Sequence, residues 1–523
     1  MNPHGPIVTG SKLGITVGVM CAAAMALLDI SIVNVAFSEM RASFGAGLDQ
    51  ISWVSTGYMV ANIIVIPMTG WFQRRFGIRR YFTASIALFT AASALCGLAW
   101  SLPALTVFRV LQGIGGGAII PTAQTLLFTR YRQEERGTAA ALFAIASCTG
   151  PLLGPTVGGY LIAWTGWHGI FYVNVPIGIA AACLIWRHVG ERGAAATREP
   201  VDVRGIVLLA LGVGSLQYVL EEGNRSGWFD SRAILLLSAV AAISLATFIV
   251  HELETPRPLV NLRVFKDPSY AAGTGINLLT GLALFGTSYL FSVFCGAVLH
   301  HSALHIGLLF LTAGVLQLVL MPVIGALSPR LDPRALLLVG ITAVCASLWL
   351  SGRFTDQSGF WDLARPQMLR GFGLSFIFVP ASVVALANLP RSDLGNASGL
   401  YNATRELGGS IGTAWMASYV ATSAKVHASY IAEYVNPFNP LLRDFERAAG
   451  GLRVTGVSPD VLVDLRHQTQ ALVTSFDGGF VRTAMVFAIG FVMLLVIRPR
   501  RQPDRKASSP PPGRIITWSR EGG

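Results

Sequence analysis

Charge is what this sequence has least of. Only 13% of its 523 residues are Asp, Glu, Lys or Arg, well short of the roughly 25% typical of a soluble domain. Hydrophobic residues make up 53%, and the mean hydropathy is +0.57. Cysteine is also scarce. Cys21, Cys96, Cys148, Cys183, Cys295 and Cys345 all fall in apolar runs and none shows CxxC spacing, which argues against a disulfide framework and structural zinc. The net charge of +12 does not signal nucleic-acid binding, because no soluble basic domain is present to carry it. The run GIGGG (Gly113 to Gly117) follows no strand and precedes no GKS or GKT, so it is not read as a phosphate loop. His300, His301 and His305 imitate metal-ligand spacing, but they sit in a short external turn with no carboxylate among them. No metal site is expected.

What is present is a series of long apolar runs. A spanning helix needs about 20 such residues to cross a hydrocarbon core about 30 Å thick. The first run, 13–37, is too long for the apolar core of a signal peptide and is read as a retained span. Further spans are expected at 51–72, 81–100, 103–127, 137–164, 169–187, 205–221, 232–251, 270–299, 304–328, 334–351, 366–389, 394–423 and 479–498. That gives an all-α integral membrane fold with about fourteen spans. Basic residues gather in alternate loops, among them Arg74, Arg75, Arg79 and Arg80, then Arg130, Arg132 and Arg136, then Arg330 and Arg334. The positive-inside rule therefore puts these loops and both termini in the cytoplasm.

The spans group as six, two and six. The expected units are an N-terminal six-helix bundle (1–190), two additional helices with linkers (191–268) and a C-terminal six-helix bundle (269–498). A cytoplasmic tail, 499–523, has the composition of a disordered, lipid-facing segment. The C-terminal bundle is expected to carry a long external polar loop at 424–478, either plain solvated chain or a folded excursion that meets a partner. A faint repeat relates the halves: RVLQGIGGGAIIP (Arg109 to Pro121) against QMLRGFGLSFIFVP (Gln367 to Pro380). Related half-bundles around a central cavity are a common transporter plan.

Ionisable residues within spans point to function, since a charge at mid-membrane costs about 2.5 kcal/mol or more. Asp29, in LLDISIVNVA, reads either as a proton carrier or as a structural acid held by nearby backbone or Asn34. Arg109 cannot give up its proton, but it can bias a neighbouring acid; the alternative is that it snorkels to the interface. Gln112 lies one turn away on a similar face. Glu406 is a second candidate acid. Arg405 and Glu406 are adjacent in sequence and are expected to point to different faces. In GPLLGPTVGG, Gly150, Gly154 and Gly158 recur every four residues beside Pro151, Pro155 and Gly159, suiting a bent helix with a small-residue face.

With these residues in view, the chain resembles the major facilitator superfamily, in its fourteen-helix drug:proton antiporter branch of the EmrB and QacA type. The resemblance runs from Leu13 to about Arg498. LDISIVNVA matches the first-helix motif, with Asp29 as its acid, and RVLQG the fourth-helix motif, with Arg109, Gln112 and Gly113. GPLLGPTVGG matches the antiporter motif of helix 5, and FYVNVPIG (Phe171 to Gly178) is similar to the helix 6 signature. NATRELGGSIGTA and VNPFNP look like EmrB-type exporters in particular. GWFQRRFGIRR, with Gly70, Arg75, Gly77 and Arg79, matches the loop between helices 2 and 3. It departs from the family at its fifth position, where Arg74 replaces the usual aspartate and puts a latch of the outward-facing state in doubt.

The resemblance implies proton-driven export of hydrophobic or amphiphilic compounds across a bacterial inner membrane. Asp29, Arg109 and Glu406 would couple the proton. The proton-motive force would be the energy source, with no cofactor. In Gram-negative bacteria it also implies a periplasmic adaptor and an outer-membrane channel. Few further acids lie within the bundles, so neutral or weakly acidic amphiphiles are the expected substrates. They would bind among Trp53, Tyr58, Asn62, Phe285, Tyr289, Phe294, Asn402 and Arg405. Competing readings are a dedicated exporter of one metabolite, siderophore or lipid, and more distantly a membrane sensor or a membrane enzyme. The enzyme reading lacks a cluster of nucleophile, base or metal ligands.

Overall fold

The computed structural model describes residues 7–132, 135–192, 202–256, 258–386, 389–390, 392–434 and 459–497. Within them the chain forms fourteen long helices. In lipid, a backbone must satisfy its own polar groups, and helices do so within each segment. The first six are α1 (Lys12–Phe44), α2 (Trp53–Phe76), α3 (Ile78–Gly97), α4 (Leu102–Arg130), α5 (Arg136–Thr165) and α6 (Gly169–His188). The additional pair is α7 (Val203–Glu222) and α8 (Arg232–Glu254). Then come α9 (Pro268–Ala297), α10 (Ala303–Leu327), α11 (Pro333–Ser351), α12 (Phe360–Leu386), α13 (Leu394–Tyr434) and α14 (Pro459–Phe487, continued by Ile489–Val496). Starts are marked by local chemistry. The side chains of Ser11, Ser101, Asp202, Asp267, Ser302 and Asp332 accept from free amides of the first turn, and proline follows within two residues at Ser101, Asp267 and Asp332.

Two features differ from the expected layout. The segment 424–478 is largely not a loop: α13 runs on to Tyr434 and α14 begins at Pro459. A hydropathy reading stops where the residues turn polar, but a helix leaving lipid can continue in water. At 1.5 Å per residue, the 41-residue α13 is about 62 Å long, roughly twice the hydrocarbon core. The VNPFNP motif and the tail at 499–523 lie outside the described residues. The fold also contains a small antiparallel strand pair, Ile7–Thr9 with Gly190–Arg192, which ties the chain start to the end of α6.

The halves meet at their cytoplasmic ends. Gly137 of α5 lies against Gly325 and Ser328 at the end of α10, and Arg136 donates to the Leu386 carbonyl. A Cβ on Gly70 would sit 2.6 Å from the Asn396 amide nitrogen, so α2 and α13 touch backbone to backbone there. Next to this contact, Gln73 donates to Thr122, and Gln124 of α4 accepts from Ser398 and Asn402 of α13 at 3.3 and 2.6 Å. The molecule is closed toward the cytoplasm.

The additional pair lies across the boundary between the halves. Gly214 of α7 meets Ile64 and Val60 of α2, while Gln217 donates to Ser410 of α13 at 2.9 Å. Trp228, between α7 and α8, donates to Ser418, and Arg225 donates to Ser52. On the other membrane face, the linker after α8 exchanges two 2.9 Å hydrogen bonds between Asn261 and Asn396.

The cytoplasmic seal gives a direct prediction. In inside-out vesicles, Ser398→Cys will react slowly with a membrane-impermeant maleimide, because Ser398 is fully buried. Adding Gly70→Val will speed labelling severalfold by forcing α2 away from Asn396. Unchanged labelling would mean that this contact does not seal the path.

Candidate functional site

The N-terminal bundle buries a complete ion pair. Asp29 and Arg109 are both 0% exposed, and an Arg109 Nη1 donates to Asp29 Oδ2 at 2.6 Å. The other carboxylate oxygen accepts from Gln112 Nε2 at 2.9 Å and Asn174 Nδ2 at 2.7 Å. Arg109 in turn donates to the Gln112 side-chain oxygen and, through Nε, to the Val54 carbonyl. Ser93 accepts from Asn174 and donates to the Phe171 carbonyl. Tyr58 lies flat against the guanidinium, 4.2 Å from its ring centroid. Five helices thus converge on one carboxylate: α1, α2, α3, α4 and α6.

Local sequence explains how they come so close. Gly113 and Gly117 of α4 face the Tyr58 and Asn62 carbonyls of α2, and Gly115 faces Phe89 and Ser85 of α3. The GIGGG run is therefore a helix-contact surface. Gly150 and Gly154 of α5 lie against Leu27 and Ser31, on either side of Asp29 along α1. Gly158 is buried, whereas Gly159 faces open space. The side chains of Pro151, Pro155 and Asn34 lie outside the described residues. At the loop between α2 and α3, Gly77 takes a positive φ of 83° that suits glycine, and Arg79 stacks on Trp186 at 4.2 Å. Arg75 is half-buried beside it.

A second group lies between the halves. A cavity with about 10 Å³ of free space, enough for about one water, is lined by Tyr58, Asn62, Gly116, Asn402 and Glu406 among others. Tyr58 thus separates the buried ion pair from the cavity, and Asn62 donates to its hydroxyl at 3.3 Å. Arg405 and Glu406 pair with each other, Nη2 to Oε1 at 3.2 Å. This corrects the expectation that they diverge. Their Cα positions do point apart, but the long guanidinium reaches back, and the scarcity of other partners in a low-dielectric setting favours the contact.

The remaining aromatic candidates divide. Phe285 and Tyr289 are half-buried on α9, with Phe285 against Gly409. Phe294 is not at the cavity; it is fully buried, packed against Phe354 and Phe476 within the C-terminal bundle. Trp53 is 42% exposed and contacts Tyr218 of the additional pair, 5.5 Å between centroids. His301 and His305 stack 4.6 Å apart, and no group of three metal-ligating side chains occurs among the described residues. Sequence reasoning missed Asn174 and Ser93 as site residues. Asn174 was visible as the polar centre of FYVNVPIG; Ser93 carried no signal at all.

Across this bundle, Asn174→Ala removes one of three donors to a buried carboxylate. It will cost about 1–3 kcal/mol, read as a lower Tm of the purified protein, and Asn174→Asp will cost more by setting two acids against one guanidinium. Equal Tm values for wild type and both variants would contradict this geometry.

Comparison with known proteins agrees with the geometry. The family model of the Major Facilitator Superfamily matches residues 19–413. The chain is 33% identical to the multidrug export protein EmrB of Haemophilus influenzae over 493 residues, 94% of this chain and 96% of that one. It is likewise 33% identical to EmrB of Escherichia coli K12, covering 95% and 98%. It is 31% identical to the fatty acid resistance protein FarB of Neisseria gonorrhoeae, covering 94% and 96%. Among solved structures, the human organic anion transporter MFSD10 superposes with a TM-score of 0.61 at 13% identity, covering 92% of this chain and 99% of that one. At that identity the likeness shows fold alone. The chain belongs to the major facilitator superfamily, a family of secondary transporters, in its branch of EmrB-type inner-membrane exporters.

Proposed function

We propose that the protein exports amphiphilic compounds in exchange for protons, and that Asp29 carries the proton. The observation that supports this most is the Asp29–Arg109–Gln112–Asn174 constellation, a carboxylate held by three donors with no exposure to either side. All three contacts are donors to the carboxylate, and a proton bound there would have to displace one of them. A proton reaching Asp29 removes the charge that holds Arg109. An unpaired guanidinium in that setting is costly, by several kcal/mol, which drives the bundle to rearrange. Because Tyr58 stacks on Arg109 and also lines the cavity between the halves, the same movement alters the substrate site. Arg109 acts as the positioning charge and never as the carrier.

Glu406 borders that cavity and, paired to Arg405, is a second group whose charge the substrate can disturb. The relatives' names, multidrug export for EmrB and fatty acid resistance for FarB, support the export reading. No metal or organic cofactor is needed for such exchange. A periplasmic adaptor remains part of the proposal for a Gram-negative host. The extension of α13 beyond the thickness of a membrane supplies a rigid external projection on which such a partner could dock.

Inside-out vesicles energised to an acid interior provide the test. A panel of amphiphiles will discharge the pH gradient with the wild-type protein and not with Asp29→Asn, a loss of at least about tenfold in rate. Equal discharge by the variant would make Asp29 structural and shift attention to Glu406.

A further inference from the structure

The C-terminal bundle contains another buried guanidinium, Arg370, with no acid beside it among the described residues. Aligning the glycines of the internal repeat, Gly113 with Gly371 and Gly115 with Gly373, places Arg370 at the position of Gln112 and Gln367 at that of Arg109. The arginine–glutamine pair is therefore present in both halves with its order exchanged. Both members stay buried in the C-terminal half, at 3% for Gln367 and 6% for Arg370. In the N-terminal half the guanidinium meets Asp29, contributed by α1. The corresponding helix in the other half is α9, which offers Thr287 instead: Arg370 Nη1 donates to its hydroxyl at 2.8 Å. Thr287 is 19 residues after Pro268, much as Asp29 is 17 after Lys12.

The hydroxyl accepts one hydrogen bond and neutralises nothing. Among the described residues, no carboxylate lies within ion-pair distance of Arg370, and its Nε has no hydrogen-bond partner. Its other contact is the face of Phe310, 5.6 Å away. One turn back on the same helix, the Gln367 side-chain oxygen is likewise buried without a partner. A permanent cation within a membrane-spanning bundle requires a counter-charge, since its desolvation is otherwise uncompensated. Among the described residues one is supplied to Arg109 and none to Arg370. An anionic group entering there would meet a guanidinium with an unused N–H and an aromatic wall.

We propose that Arg370, positioned by Thr287, forms a binding site for the carboxylate head of an exported amphiphile, whose apolar body lies along Phe310. This rests on the export reading above and narrows its substrate class to amphiphilic carboxylic acids. Arg370 stands to the substrate's acid as Arg109 stands to Asp29. The bundles then carry complementary tasks: one guanidinium is matched from within and gates the proton, and the other is matched only when substrate is bound.

Equilibrium binding tests this without relying on proton coupling. Purified full-length protein in lipid nanodiscs would be titrated with pyrenebutyric acid and with its methyl ester, read by fluorescence anisotropy. The wild type is expected to favour the acid by about ten- to a hundredfold, the range of a charge-assisted hydrogen bond. Arg370→Gln is expected to erase that preference. Thr287→Asp, which supplies the missing acid from the protein itself and keeps Arg370 in place, is expected to erase it too, and it serves where Arg370→Gln does not fold. Equal affinity for acid and ester in the wild type, or a preference that survives in Thr287→Asp, would overturn the proposal. Competition by acetate at concentrations equal to those of pyrenebutyrate would also overturn it, reducing the site to a general anion hole. A preference that persists in Asp29→Asn, alongside failed discharge of the pH gradient by every compound in wild-type vesicles, would sink the coupling reading while leaving this site intact.

Discussion

The pairing of one carboxylate with one guanidinium in a medium that cannot hydrate either is the constraint on which the N-terminal bundle depends. Neither Asp29 nor Arg109 can be buried alone at acceptable cost. Together they still leave lone pairs and N–H groups to satisfy, and Gln112, Asn174 and the Val54 carbonyl do so. The demand for these partners brings α1, α2, α3, α4 and α6 to one point, and the glycines of α4 and α5 make the approach possible. Removal of a single charge, by a proton, is the event to which such an assembly is most sensitive. The proposed proton coupling rests on that sensitivity.

Contacts between the halves work by different physics. Gly70 against Asn396 and Gly137 against Gly325 are backbone-to-backbone contacts, with Gln124 bonded to Ser398 and Asn402 beside them. Arg136 is buried beside Gly137 and donates across the same boundary to the Leu386 carbonyl. Arg74, where the family usually has an aspartate, stands near Asp393 at the start of α13. Burial raises the Asp393 carboxyl from its ordinary range and the Arg74 charge opposes that rise. An acidic charge thus faces Arg74 from the opposite half. The additional helices add contacts to both halves on both membrane faces, through Ser52, Ser410, Ser418 and Asn396.

Much of this was legible in the residues themselves. Asp29 and Arg109 are conspicuous because charge is so rare in the spans, and their glycine-rich flanks announce close packing. Helix positions followed from apolar length, with the exception of α13 and α14, whose polar external turns look like loop to any scale that measures only hydrophobicity. Ser93 was hidden because an uncharged polar side chain in a span has no intrinsic signature, and Asn174, visible as the polar centre of FYVNVPIG, gains its role only from the carboxylate it bonds. The Arg405–Glu406 pair was misjudged from backbone direction, which says little about where a long side chain ends. Arg370 stood in plain view within the repeat, but its meaning depends on what is missing beside it.

The most direct test of the central claim is infrared titration of the purified, reconstituted protein, following the carbonyl stretch of protonated carboxyl groups as pH falls. The account predicts a component of that band that grows on acidification in the wild type and is missing from Asp29→Asn, with its midpoint displaced when Arg109 is replaced by glutamine. Identical carboxyl bands in wild type and Asp29→Asn would contradict it, because Asp29 would then remain ionised throughout and could carry no proton.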